Sequence, residues 1–161
     1  MSRVARTYRH TVGRRVLNRV VRLLVRLDLM PGPRYLLTIK GRKSGLPRST
    51  PVTLVEHGGV RWLVAPYGQV GWVKNARAVG RVELSRGRRR ETARVRELDP
   101  MEAAPVLKMY AERVPHTRAY LDASPSSPPE AFASDAVRCP VFRLLGDGPG
   151  PPKGSYRLKG R

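Results

Sequence analysis

Between residues 10 and 29, HTVGRRVLNRVVRLLVRLDL, apolar side chains recur at steps of three and four. Val12, Val16, Val20, Leu24 and Leu27 form the stripe, and Leu17, Val21 and Leu23 widen it. Arg14, Arg15, Arg19, Arg22 and Arg26 fall mostly off it. This period predicts an amphipathic helix, ended by the Pro-Gly-Pro at 31–33. Beyond it the period shortens. RYLLTIK (34–40), STPVTLVEH (49–57) and VRWLVAPY (60–67) read as strands, with Gly58-Gly59 as the turn between the last two. RVELSRG (81–87) and RRRETARVREL (88–98) read as a second hairpin turning at Arg86-Gly87, and CPVFRLL (139–145) as a final strand. GWVKNARAVG (71–80) predicts a short helix stopped by Gly80. Asp99, Pro100 and Glu102 are the start signal of a helix over roughly 100–114. Residues 115–136 suggest short helical pieces broken by PSSPP.

Hairpins dominate this order, and strands do not alternate with helices. The expected class is mostly β with helices (α+β), a mainly antiparallel barrel with helices packed around it. Three regions follow: a basic helix over 1–30, the barrel over 31–146, and a Gly/Pro-rich basic tail over 147–161 expected to be disordered.

Composition adds one large fact. The 161 residues carry a net charge of +20, from 32 Lys+Arg against 12 Asp+Glu. The excess is concentrated at the front, with +12 over 1–50, +5 over 51–100 and +3 over 101–161. Such a field attracts nucleic acid, an anionic membrane surface or an acidic small molecule. Arg outnumbers Lys 26 to 6, a bias that a GC-rich genome also produces. A base-reading element is missing and aromatics make up only 6%, so specific nucleic-acid recognition is not expected. The first helix admits two readings, packing by one face or lying on anionic lipid. No apolar run reaches the length of about 18 residues that a spanning helix needs, and Arg19, Arg22 and Arg26 interrupt any signal-peptide core. A cytoplasmic protein, at most peripheral on the inner membrane face, is expected. Cys139 stands alone, and His10, His57 and His116 have no ligand spacing, so neither a disulfide nor a metal site is expected.

The candidate chemistry lies in GRKSGLPRSTP, residues 41–51. A plain turn needs Gly and Pro, not Arg42, Lys43, Ser44 and Arg48 with no acid beside them. Arg offers a planar fork, Lys a point charge, Ser a hydroxyl, and flexible glycines let backbone N–H groups approach an anion. The stretch fits neither the P-loop nor the dinucleotide-binding pattern. By itself it reads equally as a phosphate cradle or as a basic turn with solvated charges. In 71–80, Trp72, Asn75 and Val79 fall on one helical face. A Trp there suits a core. Asn75 costs helix propensity, which favours a polar contact to a ligand or a loop. Lys74 and Arg77 would either meet an acidic ligand or face water. No Ser/His/Asp set and no paired carboxylates stand out.

YLLTIKGRKSGLPRSTPVTLV, followed by RWLVAPYGQVGWVKNARAVGRVEL, resembles the deazaflavin-dependent nitroreductase family, over about residues 34–98. The resemblance implies a six-stranded antiparallel split β-barrel, similar to flavin-reductase and FMN-binding folds. It implies coenzyme F420, with FMN as the alternative, and hydride transfer from the reduced deazaflavin to a quinone, a nitro-compound or another activated double bond. Arg42, Lys43 and Ser44 would hold the cofactor phosphate, with Gly45, Arg48, Thr50 and Pro51 lining the same site. Ala65, Pro66, Tyr67 and Gly68 would run beside the ring, and Trp72 and Asn75 match the family's short helix. Tyr110 and Tyr120 are candidates for a substrate pocket, or pack helices on the barrel. No catalytic side chain is implied, because the cofactor carries the chemistry. The rival readings are a basic nucleic-acid-binding module and an FMN-dependent reductase. A monomer or a homodimer is expected.

Overall fold

The computed structural model describes residues 19–24 and 32–146. Residues 19–24 are helical, with Val20 and Leu23 about half exposed. The rest of the predicted first helix and the tail over 147–161 lie outside the described residues, and with them the lipid reading of that helix. Among the described residues, no helix is long and apolar enough to cross a membrane.

Six strands close an antiparallel barrel. They are β1 (Arg34–Lys40), β2 (Pro47–His57), β3 (Val60–Val64), β4 (Arg81–Arg86), β5 (Arg89–Glu97) and β6 (Val141–Gly146). The order around the barrel is β1-β2-β3-β6-β5-β4. Helix α1 (Gly71–Val79) joins β3 to β4. Helix α2 (Pro100–Arg113), two 3₁₀ turns and helix α3 (Ala133–Arg138) lie between β5 and β6.

Alternation explains the closure. Leu37 and Ile39, Leu54, Leu63, Val82 and Leu84, Ala93, and Phe142 and Leu144 form one buried cluster, each strand contributing alternate positions. Val55, Val64 and Val141, one step out of phase, join a second cluster with Ala103, Leu107 and Tyr110 of α2 and Phe132. Strands β2, β3 and β6 are therefore buried on both faces where they meet, which is why Leu54-Val55, WLV and PVF read as unbroken apolar runs. Strands β4 and β5 bury one face only. Their other face carries Arg81, Arg90, Arg94 and Arg96 into solvent.

Both predicted helix signals act. Asp99 accepts from the Glu102 amide at 2.9 Å while Glu102 reaches back to the Asp99 amide at 3.3 Å, a reciprocal cap of about 1 kcal/mol. Gly80 ends α1 with φ 69°, donating to the Ala76 carbonyl.

Several details differ from expectation, β2 starting at Pro47 and β6 at Val141 among them. β3 ends at Val64 rather than at residue 67, because Pro66 has no N–H to continue a ladder and the Ala65 amide turns to the Pro140 carbonyl. The second hairpin turns at Gly87-Arg88, one residue late. Helix α1 buries Val73, Asn75 and Ala76, and Val79 is 41% exposed, so Val79 does not share the buried face.

The barrel's ends differ. One end gathers the β1–β2 turn, residues 65–70, α1 and the start of β6; the opposite end gathers the Gly58-Gly59 and Gly87-Arg88 turns. Val73 and Ala76 join the barrel-interior cluster, so α1 plugs the first end.

Candidate cofactor-binding site

The turn over residues 41–46 is built by its own backbone. The Gly41 amide donates to the Leu46 carbonyl, and the Gly45 amide to the Gly41 carbonyl, both at 2.8 Å. Gly45 takes φ 65°, as a left-handed turn position requires. Gly41 is needed for space instead: a Cβ there would come within 2.8 Å of the Ser44 hydroxyl and 3.3 Å of the Leu46 carbonyl. The Ser44 hydroxyl accepts from the Leu46 amide at 3.3 Å.

Helix α1 holds this turn in place. Asn75, 6% exposed, accepts with Oδ1 from the Arg42 backbone amide at 3.2 Å and from Arg42 Nη1 at 3.0 Å. The expected polar contact of Asn75 is thus to the loop. Lys43 and Arg48 are exposed and make no ion pair or side-chain hydrogen bond with the described residues. Arg48 lies opposite Ile39 and Thr50 opposite Leu37, which places both on the inward-facing phase of β2, with Arg48 at the open rim. Pro51 lies opposite Leu36, on the outward phase, away from Arg48 and Thr50. On that outer face a groove of about 720 Å³ runs past Thr38, Ser49, Glu83, Ser85 and Arg90. The hydroxyls of Thr38 and Ser49 bond across it at 2.8 Å.

Residues 65–68 form the floor beside α1. Ala65 and Pro66 are buried, and the Gly68 amide donates to the Ala65 carbonyl at 3.1 Å. The Cys139 thiol, beneath, lies 3.5 Å from the Pro66 carbonyl, and burial pushes it up to about 12. Tyr67 meets Tyr120 edge to face, with ring centroids 4.8 Å apart. Trp72 is half-buried against Phe142, centroids 5.7 Å apart, so it is anchored in the barrel core on one side. Tyr110 is 4% exposed within the inter-helix cluster, and burial raises its pKa well above the usual value. Its hydroxyl bonds to Thr117. Tyr110 therefore lies behind the Tyr67–Tyr120 pair and does not open onto solvent.

The structure thus brings together Arg42, Lys43, Ser44, Gly45, Arg48 and Asn75. It places Ala65, Pro66, Tyr67, Gly68 and Trp72 along the segment that leads into α1. Sequence reasoning expected Asn75 to contact a ligand or a loop but did not name Arg42 as its partner, which a 33-residue separation hides.

A closed six-stranded antiparallel barrel with one end plugged by a helix and edged by unpaired cations is a split-barrel flavin-reductase-like fold. The model of the F420H2-dependent quinone reductase family matches residues 4–123, and the chain belongs to that family. The family is one of oxidoreductases, and its cofactor is coenzyme F420. Among solved structures, the chain is 27% identical to an F420-H2 dependent reductase, FDR-A, over 70% of this chain and 93% of that one, with a TM-score of 0.51. A protein described as a domain-swapped dimer is 24% identical, over 83% of this chain and 99% of that one, with a TM-score of 0.53. HutZ, the heme storage protein of Vibrio cholerae, shares the fold at 11% identity, over 73% of this chain and 83% of that one, with a TM-score of 0.52. No curated protein matches the chain.

The donor set suits the cofactor's anionic part. A phosphodiester needs short-range donors and positive charge, and the turn with the start of β2 offers a fixed Arg42 and, without an acid partner among the described residues, Lys43 and Arg48.

Proposed function

We propose that the chain transfers a hydride from reduced F420 to a small electrophile: a quinone, a nitro-compound or another activated double bond. The observation that carries this reading is the pair of unpartnered cations, Lys43 and Arg48, beside an Arg42 anchored by Asn75. Unpaired charge fixed at the mouth of a plugged barrel is what an anionic cofactor requires.

When bound, the reduced deazaflavin supplies the hydride. The chain's residues bind and orient. Arg42, Lys43, Ser44 and Arg48 hold the phosphate, each charge-assisted contact contributing about 1.5–3 kcal/mol where water is partly excluded. Ala65 and Pro66 give an apolar floor, and Tyr67 with Tyr120 gives an aromatic wall, which limits water at the reacting face. None of the gathered residues is a carboxylic acid or histidine, so solvent supplies the proton that accompanies the hydride.

The test mixes purified protein with F420 or with FMN, removes free ligand by ultrafiltration, and reads the absorbance of what is retained. F420 retained and FMN lost is the expected outcome. FMN retained and F420 lost would overturn the reading in favour of a flavin reductase. Oxidation of reduced F420, followed by absorbance in the presence of a quinone or a nitroaromatic acceptor, then ranks the substrate classes.

A further inference from the structure

Asn75 is the one buried polar side chain of α1, and it sits in the middle of that helix, where Asn costs up to about 0.7 kcal/mol relative to Ala. Its two neighbours identify its orientation. Both the Arg42 amide and the Arg42 guanidinium are donors, so the carboxamide must turn its oxygen to them. One oxygen thereby fixes both the backbone and the side chain of the same residue. The guanidinium keeps its other N–H groups, and Arg42 remains exposed. The turn's own bonds, Gly41 to Leu46 and Gly45 to Gly41, close it at the end of the β1–β2 ladder but do not tie it to α1.

We infer that Asn75 is a positioning residue that confers selectivity for the phosphate-bearing cofactor: by clamping Arg42 it holds the 41–46 turn in its anion-binding form before any ligand arrives. The inference rests on the reading of that turn as the phosphate site. Without the clamp the turn stays closed by its own bonds, but its seat against α1 and the Arg42 side chain are no longer fixed, and part of the ligand's binding energy is spent fixing them. The loss falls on the phosphate, not on the ring, because the floor at Ala65 and Pro66 is built independently of Asn75.

The experiment compares wild type, Asn75→Leu and Asn75→Asp in the full chain. Fluorescence titration is run with F420 and with the deazaflavin riboside that lacks phosphate and tail. Hydrogen exchange of the 41–46 amides is followed without ligand. Asn75→Leu should lose protection at the Arg42 amide. It should weaken F420 about tenfold, as the loss of about 1.4 kcal/mol implies, while the phosphate-free compound changes less than about twofold, as for a ligand with no contact to the clamp. Asn75→Asp keeps an acceptor for both Arg42 donors, so amide protection should be retained. Its added carboxylate should still weaken F420 selectively. Equal weakening of both ligands in Asn75→Leu, or unchanged protection of the Arg42 amide, would overturn the inference. Failure of wild type to bind F420 would instead sink the proposed function, and the exchange data would still report on the clamp. Should Asn75→Leu not fold, the Asp variant and an Asn75→Ser variant, whose shorter side chain cannot span to Arg42, carry the same comparison.

Discussion

The two ends of the barrel use the same kinds of residue to opposite purposes. At the hairpin end, Arg61 of β3 reaches across the mouth to Glu91 of β5 in a two-pronged ion pair, with side chains 11% and 21% exposed. Tyr35 sits beside them, its pKa raised by burial, and Arg86 donates to the Gly32 carbonyl at 2.6 Å. That end pairs its buried charge within the fold, while Arg88 and Arg89 stay exposed at its turn. At the α1 end, Arg42 is held by a neutral carboxamide, and Lys43 and Arg48 have no acid partner among the described residues. A cation neutralised within the fold contributes to structure. A cation held on a neutral carboxamide keeps its charge, so the fixing of an unneutralised Arg42, more than the number of arginines, sets the proposed binding end apart.

The largest expected effect is at the self-satisfied end. Glu91→Ala leaves Arg61 mostly buried and unpaired, which should cost about 2–3 kcal/mol of folding stability by denaturant titration. F420 affinity should stay within about twofold, because this charge lies at the far end of the barrel and is screened. The double variant Arg61→Leu/Glu91→Leu should recover much of the loss, since a well-packed apolar pair can replace a buried ion pair. A double variant no better than Glu91→Ala alone would mean that the pair is not what closes this end.

At the binding end the loss should appear in affinity and not in stability. Lys43→Glu removes one contact and sets a carboxylate beside the phosphate. It should weaken F420 about tenfold to a hundredfold, the equivalent of roughly 1.4–2.7 kcal/mol. Its unfolding midpoint should barely move, because Lys43 is exposed. Arg88→Glu, in the hairpin at the opposite end, is the control and should cost much less. Equal losses at both positions would mean that the cofactor senses only the +20 field, and the contrast between the ends would collapse.

Much of this was legible in the sequence, and the parts that were not have physical reasons. The strands were readable because β4 and β5 follow the period of two and β3 and β6 are short apolar runs bounded by turn residues, and the capping box because its residues are local. The end of β3 was misplaced because VRWLVAPY stays apolar past the point where Pro66 stops the ladder. The buried face of α1 was misread at Val79 because Val73 and Ala76, not Val79, point into the barrel mouth. Arg61 and Glu91 carried a signal that went unused. Each lies two residues before an inward apolar position, Leu63 and Ala93, so alternation aims both charges into the barrel. Asn75 signalled a polar contact by its place in a short helix, but nothing local named Arg42, since only the closed barrel brings residues 42 and 75 together. The candidate cations were singled out by their residue types and by the family resemblance, but the partner that holds Arg42 needed the tertiary structure.

The smallest effect concerns the floor beneath the binding end, and it appears only at alkaline pH. Burial raises the Cys139 thiol to about 12 in the folded chain, against about 8.5 for a thiol in water. The neutral thiol is thus favoured by folding. Its contribution is fully present below about pH 8.5 and is lost as pH rises toward 12, because the unfolded chain sheds a proton that the folded chain retains. The slope of stability against pH in that window should be steeper in wild type than in Cys139→Ala by up to about 1.4 kcal/mol per pH unit. Tyr110, whose pKa burial also raises, adds a loss of the same sign at higher pH, so the comparison belongs between about pH 8.5 and 10, below the usual tyrosine range. Chemical denaturation at several pH values gives both slopes. The alanine variant should start less stable at pH 7, having lost packing against Pro66, and converge on wild type as pH rises. Parallel curves would show that the thiol ionises freely in the folded chain, and that the floor beneath the proposed cofactor site is wetter than its buried residues imply.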